Sequence, residues 1–364
     1  MAVAITGVGM ATVLGTTAPQ TWDALLAGRF ITDHSRIPVD TPRGACRVTH
    51  WATAAAREAI AEAGWSPETL ADEGTAMLVG TSKGPIEQWI AAPAALGSEL
   101  APTMMGRVAD QLAQQIGLGS GARLTLCGAC ASGLQALVRG LLMIRASDAK
   151  RVLVVASESS VHPLFLGSFR RLGVLPRDGR GCRPFDRSRD GFIMSEAAAA
   201  VCLEQVAPAT APPGAVLVAD GAIAGDAAHI TGADPRGRAL RRLLARVVGE
   251  APVALFHAHG TGTDNDPTEL AAIESVVQQG GGVPLVYSHK GALGHSLGAS
   301  GLVSVVINAM AHRTGVVPPN VQTAEPIAHR RVSFLTGGGT MPIDRSIAMA
   351  QGFGGAMAVV ALGR

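Results

Sequence analysis

Short apolar runs alternate with helical patterns along the whole chain, which is the rhythm of an α/β fold. Val3 to Thr6 predicts a short strand, followed by a Gly-punctuated loop through Gly15. Thr21 to Ala27 carries a short helical pattern, and residues 30–49 are polar, Pro-containing and irregular. Trp51 to Ala63 predicts an Ala-rich helix closed by Gly64. Thr75 to Gly80 is strand-like, Ser82 to Leu100 predicts a loop, Met104 to Ile116 a helix, and Leu124 to Leu126 a short strand running into Cys130. Leu134 to Ile144 is apolar nearly all round, so that helix belongs deep in the core. Arg151 to Ser157 predicts a strand buried on both faces, Leu172 to Asp190 a long loop, and Gly191 to Glu204 a further strand. Residues 207–214, A-P-A-T-A-P-P-G, form the best linker in the chain and divide it into halves 1–206 and 215–364.

The second half echoes the first. A-S-G-L occurs at Ala131 to Leu134 and again at Ala299 to Leu302, 168 positions later. Each copy opens an apolar helix pattern after a Gly-punctuated turn with reactive residues. That context predicts a duplicated α/β half-domain whose two helices lie back to back and bring both turns toward one pocket.

With 364 residues, 48% of them hydrophobic, the chain has material for a large core. A net charge of +2 without a long basic or acidic run offers no nucleic-acid footprint. No apolar run approaches the roughly 18 residues that span a bilayer. The first ten residues, M-A-V-A-I-T-G-V-G-M, read as strand and turn rather than a signal peptide. Five cysteines, an odd number, point to reduced thiols and a cytoplasmic location. G-V-G-M-A-T does not complete a dinucleotide fingerprint, because Thr12 stands where the third Gly belongs.

The candidate chemistry centres on Cys130, in T-L-C-G-A-C-A-S-G-L. A thiol at the first turn of a buried helix meets backbone N–H groups and the positive end of the helix dipole, which favour the thiolate. Small neighbours let N–H groups approach a bound carbonyl, as an oxyanion hole requires. A plain core thiol is the better reading for Cys127. The two also form C-x-x-C, a spacing of redox dithiols and zinc half-sites, but the chain holds no second C-x-x-C.

H-A-H-G-T-G-T, His257 to Thr263, follows a strand pattern, and crevices of α/β sheets lie at such C-terminal ends. His259 beside Gly260 is the functional candidate, and His257 reads as a hydrogen-bonded core histidine. Tyr287 to Gly301 holds His289, Lys290 and His295 among four glycines. A Lys in that setting either snorkels to water or serves a site. His295 at a helix start is expected to be held neutral by the dipole, free to donate a ring N–H to a carbonyl. Q-G-F-G-G, Gln351 to Gly355, follows a strand at Ser346 to Ala350 and sets a bulky ring on a flexible backbone. It is either a tight turn with a core Phe or a gate that adds an oxyanion-hole N–H. For Asp264, Asp266 and Glu269, a solvated or N-capping role before a helix over 267–278 is preferred to metal binding. One Cys, two His and one Lys, each in a Gly-rich turn, point jointly to a nucleophilic cysteine enzyme.

These motifs resemble the β-ketoacyl-acyl carrier protein synthases, the ketosynthase branch of the thiolase-like superfamily. The resemblance runs from V-A-I-T-G-V-G through A-L-L-A-G-R, A-C-A-S-G, R-P-F-D-R-S-R-D-G-F, H-G-T-G-T and K-G-x-x-G-H-S-L-G-A-S-G to the C-terminal G-F-G-G. It implies an α/β thiolase-like fold of two duplicated βαβ-rich halves in a layered αβαβα architecture. It implies acyl transfer from a carrier protein to Cys130, then decarboxylative condensation with a malonyl thioester in fatty acid or type II polyketide or polyene synthesis. His259 and His295 would donate to the extender's thioester carbonyl, and Lys290 would support the site electrostatically. Phe353 would gate the half-reactions, with Gly354, Thr261 and Thr263 binding substrate. No cofactor or metal is implied. The implied partners are an acyl carrier protein and a second subunit, either a copy of this chain or a sister ketosynthase-like chain. The alternatives are a non-elongating partner subunit that shapes an acyl tunnel, or an acyltransferase or thioester hydrolase on the same scaffold. Several positions depart from the family pattern. Ser304 stands where a Glu near the Lys is usual, Ala356 and Met357 replace Thr-Asn after G-F-G-G, and Ser195 and Ala197 replace Gly. The segment between about 30 and 50, which in relatives helps cap the site and build the dimer face, is short. These departures favour a specialised synthase over primary fatty-acid elongation.

Overall fold

The structure is a computed structural model; it describes all residues except 1, 43, 92–103, 178, 208–211, 279–281 and 364. Its strands are β1 (Ala2–Thr12), β2 (Thr75–Gly80), β3 (Arg123–Leu126), β4 (Arg151–Glu158), β5 (Ala197–Val206), β6 (Val216–Gly225), β7 (Leu255–His257), β8 (Leu285–Tyr287), β9 (Val316–Val317), β10 (Gly339–Thr340), β11 (Arg345–Gln351) and β12 (Ala356–Gly363). Its helices are α1 (Ala18–Leu26), α2 (Arg47–Ala63), α3 (Pro67–Ala71), α4 (Ile86–Ala91), α5 (Arg107–Ile116), α6 (Ser132–Arg145), α7 (Pro163–Arg171), α8 (Arg238–Val248), α9 (Asp266–Val276), α10 (Lys290–Leu293) and α11 (Ser300–Thr314).

Ten strands form one sheet in the order β3-β2-β4-β5-β1-β6-β12-β11-β7-β8. From either edge inward the pairings repeat, parallel, parallel, antiparallel, antiparallel. The two five-strand sets meet at β1 and β6 through Ala4↔Leu217 and Ile5↔Val216. Alternation along the strands sorts side chains into layers. Val152, Val154 and Ala156 of β4 enter a central cluster with α6 and α11, while Leu153 and Val155 face Trp51, Ala55 and Leu112 of α2 and α5. In the other half Ala348 and Ala350 face the centre, and Ile347 and Met349 face Leu244 and Ile273 of α8 and α9. The result is the αβαβα layering that the resemblance implies.

The A-S-G-L echo has a structural counterpart, because Ala131 and Ala299 are the N-caps of α6 and α11. The Gly of each copy sits where the helices meet. A Cβ on Gly133 would lie 2.8 Å from Ala156 Cβ and 3.1 Å from Gly298 O, and one on Gly301 would lie 2.9 Å from Leu134 Cβ.

Several boundaries differ from the expectations. β1 continues through the predicted loop, because Gly7 and Gly9 belong to the strand and let α2 approach. Cβ atoms there would fall 2.1 Å from Ala59 O and 2.0 Å from Ala55 O. α2 starts four residues earlier than predicted, at Arg47, whose guanidinium pairs at 2.8 Å with buried Glu196. α4 and α7 lie in segments where the pattern predicts no helix; α7 is capped by the His162 ring, which accepts from Leu164 N, and starts at Pro163. β5 begins at Ala197, not Gly191, since residues 191–195 instead bond across to the Gly262 and His295 turns. Residues 208–211 of the predicted linker and 92–100 of the predicted loop lie outside the described residues.

Candidate active site

Cys130 lies in the turn between β3 and α6, two residues before the helix begins. Ser132 fixes that turn: its hydroxyl accepts from Gly128 N at 3.0 Å and donates to Ala129 O at 2.6 Å. Ala129 adopts φ +49°, a left-handed conformation that its neighbours must hold in place. Gly352, before the Phe353 turn, approaches from the other half; a Cβ on it would lie 2.9 Å from Cys130 N.

His295 comes from the equivalent turn before α11. Its Nε2 is 3.2 Å from Cys130 Sγ, and its backbone is pinned between Ile193 O and Ser195 N. Nδ1 is enclosed and has no partner among the described residues, so Nε2 is the ring nitrogen that meets the thiol. His259, at the end of the β7 segment, packs edge-on against His295 with ring centroids 5.3 Å apart. Its peptide is gripped from both sides. Glu269 accepts His259 N at 2.5 Å and Gly260 N at 2.8 Å, while Lys290 Nζ donates to His259 O. Asp266 accepts Thr261 N, Gly262 N and Phe185 N.

Burial dominates the electrostatics. It pushes the Cys130 thiol up to about 12. It holds His259 and His295 neutral, well below the usual histidine range, with the Lys290 charge adding to the effect. It lowers the Lys290 ammonium and raises the Glu269 carboxyl, which Asp266 raises further. Two expectations change accordingly. Where a lowered thiol was expected at the helix start, enclosure raises it, against the Lys83 and Lys290 charges that lower it. His295 is neutral because it is buried; it precedes a short 3-10 turn, Leu297–Ala299, rather than an α-helix.

A cavity of about 460 Å³ leads to the thiol and is lined by Cys130, His259, His295, Thr261, Thr263 and Phe353, among others. Its apolar wall is an aromatic row: Phe353 lies 6.1 Å from Phe169, Phe169 5.6 Å from Phe192, and Phe192 5.0 Å edge-on to His295. The two threonine hydroxyls bond each other at 2.9 Å and line the same cavity.

The structure thus gathers Cys130, His259, His295, Thr261, Thr263 and Phe353, with Lys290 directly behind His259. Gly354 is exposed, does not line the cavity, and takes φ +76° while donating to Ile230 O. Cys127, expected in the core, is exposed, since β3 is an edge strand that ends just before it. Asp266 and Glu269 are fully buried anchors of backbone N–H groups rather than solvated or capping residues, and the N-cap, Asn265, makes no side-chain cap bond. His257 is the core histidine expected, bonded to Asn308 at 2.7 Å and to His289 at 2.8 Å. Ser304 faces His289, at 3.5 Å. Sequence reasoning gave no role to Phe169, Phe192, Asn265 or the Gln351 side chain; Phe192 read as part of a strand and Gln351 only as the neighbour of G-F-G-G.

Two family profiles match the chain: "Beta-ketoacyl synthase, N-terminal domain" over residues 37–209 and "Beta-ketoacyl synthase, C-terminal domain" over 215–324. The 3-oxoacyl-[acyl-carrier-protein] synthase 2 of Rhizobium meliloti (strain 1021) is 30% identical over 415 residues, covering 100% of this chain and 98% of its own. The tetracenomycin polyketide synthase ketoacyl synthase alpha subunit of Streptomyces glaucescens is 29% identical over 418 residues, covering 100% and 97%. Among solved structures, the ishigamide ketosynthase/chain length factor is similar with a TM-score of 0.86 at 27% identity, covering 100% of this chain and 98% of that one.

Proposed function

This chain belongs to the β-ketoacyl synthase family, with its thiolase-like fold, and from that premise we propose that it is a condensing acyltransferase using Cys130 as nucleophile. The observation that carries the reading is the Cys130 Sγ to His295 Nε2 contact of 3.2 Å at the floor of a cavity that His259 also lines.

In the first half-reaction the Cys130 sulfur attacks the carbonyl carbon of a carrier-bound acyl thioester. The C–S bond to the carrier breaks, and the thiol proton ends on the departing carrier sulfur. The oxyanion is held by backbone N–H groups of Cys130 and Phe353. A thiol raised by burial makes this proton transfer part of the reaction, coupled to attack. In the second half-reaction a malonyl thioester enters with its carbonyl between His259 and His295. Neutral rings donate N–H groups to that oxygen as negative charge develops on it. The bond to the carboxylate breaks, CO2 leaves, and the electron pair stays on the enolate. The enolate carbon attacks the acyl carbonyl, the bond to Cys130 breaks, and the sulfur regains a proton from solvent. The product is a 3-ketoacyl thioester. Lys290 fixes the His259 carbonyl, and Phe353, on its turn against Phe169, keeps the two half-reactions apart.

The same reading includes an acyl carrier protein as partner, a second subunit, a cytoplasmic setting and the division into halves 1–206 and 215–364. The names of the two relatives above support fatty acid or polyketide synthesis as the pathway class. Ser304, facing His289 instead of Lys290, supports acyl transfer without extension as the second reading. Incubation with acyl carrier, then malonyl carrier, with mass detection of each species, decides. Acyl-Cys130 with CO2 release and a 3-ketoacyl product is the expected result. An adduct without extension selects the second reading, and no adduct overturns both.

A further inference from the structure

The Gln351 carboxamide is unexplained by the chemistry above. It ends β11 one residue before Gly352, whose Cα abuts the peptide of Cys130, and it lines the same cavity as Cys130, His259 and His295. Its Oε1 accepts from Asn265 Nδ2 at 3.4 Å, which leaves the NH2 end as donor; that Nε2 is enclosed and has no partner among the described residues. An unpaired buried donor costs about 1–3 kcal/mol, so such a group calls for a ligand. Thr261, Thr263, Asn265 and Gln351 form one hydrogen-bonded polar run along the cavity lining.

We propose that Gln351 donates its side-chain N–H to the carboxylate of the extender unit. The inference rests on the condensing reading. With the extender's thioester carbonyl between His259 and His295, its carboxylate is two carbons away, inside the cavity that Gln351 also lines. Two arginines also line the cavity: Arg189 directs its guanidinium to Thr263 O and Asp186 O, and Arg177 pairs with Asp190 at 3.9 Å. The carboxylate therefore meets a neutral donor. A neutral amide holds the anion in place, and the hydrogen bond weakens as CO2 forms, so the contact acts on binding of the extender more than on its turnover. An acceptor oxygen is also present in the amides of the carrier's pantetheine arm, but that arm is common to the acyl donor and the extender, whereas the carboxylate is not.

The test compares Gln351→Leu and Gln351→Glu with the unmodified protein, using octanoyl-CoA for acylation of Cys130 and malonyl-CoA for extension. The expected result is a KM for malonyl-CoA raised about tenfold in Gln351→Leu, the size of one hydrogen bond to a charged group, with a smaller change in kcat. Gln351→Glu raises it further by like-charge repulsion. The ratio of extension to acylation efficiency falls in both. Equal losses in the two half-reactions would assign the amide to the pantetheine arm and overturn the proposal, as would an unchanged KM for malonyl-CoA. Gln351→Met, isosteric but without the donor, replaces the Leu variant if that one fails to fold. If the unmodified protein forms no acyl-Cys130 or releases no CO2, the condensing reading itself has failed, which is a separate outcome.

Discussion

α6 and α11 occupy equivalent places in the two halves, share the A-S-G-L start, and have opposite interiors. From Ser300, every fourth residue of α11 is polar and buried: Ser304, Asn308 and His312. They join His289, His257 and Ser346 in one hydrogen-bonded chain. The matching positions of α6, 168 residues earlier, are Ser132, Ala136, Gly140 and Ile144. Apart from Ser132 they pack as apolar or small residues against the strands. A duplicated frame has thus been divided into an apolar arm that presents the nucleophile and a polar arm that holds the buried pair His257 and His289.

The sharpest way to break this division is to remove its chemical end on the α6 side. Cys130→Ala is expected to abolish acyl-enzyme formation, a loss of at least about 10³-fold, read by intact-protein mass. His295→Ala is expected to remove extension while the thiol remains alkylatable by iodoacetamide; equal loss of both would blur the division. Next in size is the interior contrast. Asn308→Leu strands His257 Nδ1, which Asn308 contacts at 2.7 Å, and removes one of the two partners of Ser346, and is expected to cost about 3 kcal/mol in urea unfolding. The matching Gly140→Ala in α6 places a Cβ 3.1 to 3.2 Å from side chains of Val152, Leu203 and Val154. There the crowding is opposed by the roughly 1 kcal/mol gain in helix propensity, so the net change is expected to stay near about 1 kcal/mol.

A smaller effect separates the arms by pH. Burial lowers Lys290 to about 8, from the ordinary 10.5. Above that the ammonium loses its proton and its strongest hold on His259 O, so extension is expected to fall about tenfold toward pH 9. Lys290→Met is expected to lack that alkaline limb. The sign for stability is opposite: between about 8 and 10.5 the unfolded chain still holds a proton the folded one has released, so the Lys290 contribution to stability rises with pH. The smallest effect expected is from Ser132→Ala, about 1 kcal/mol from the loss of its two turn hydrogen bonds, with slower acylation but an unaltered alkaline limb.

Much of this is legible in the chain because it depends on short-range period. T-A-M-L-V-G predicts β2 at its observed bounds, and the apolar runs after A-S-G-L predict α6 and α11. What is not legible depends on distant neighbours. Gly7 and Gly9 read as a loop because nothing local reveals that α2 lies on them. Phe169 sits in a segment with no predicted element and Phe192 in one that reads as strand; only the fold sets Phe192 beside His295 and Phe169 against Phe192. The thiol's high pKa is likewise a property of enclosure, which a dipole argument from sequence does not contain.

β1 lies at the middle of the sheet, between β5 and β6, although it is made first. During synthesis both of its edges stay bare until residues 197–225 emerge, on the order of 10–40 s later at ribosomal speeds. An apolar strand held open that long is a template for mispairing with other chains. Gly7 and Gly9 weaken β-pairing in isolation. The same two residues that admit α2 in the finished protein therefore blunt the hazard of its first strand, and substituting them would be felt in soluble yield as well as in packing.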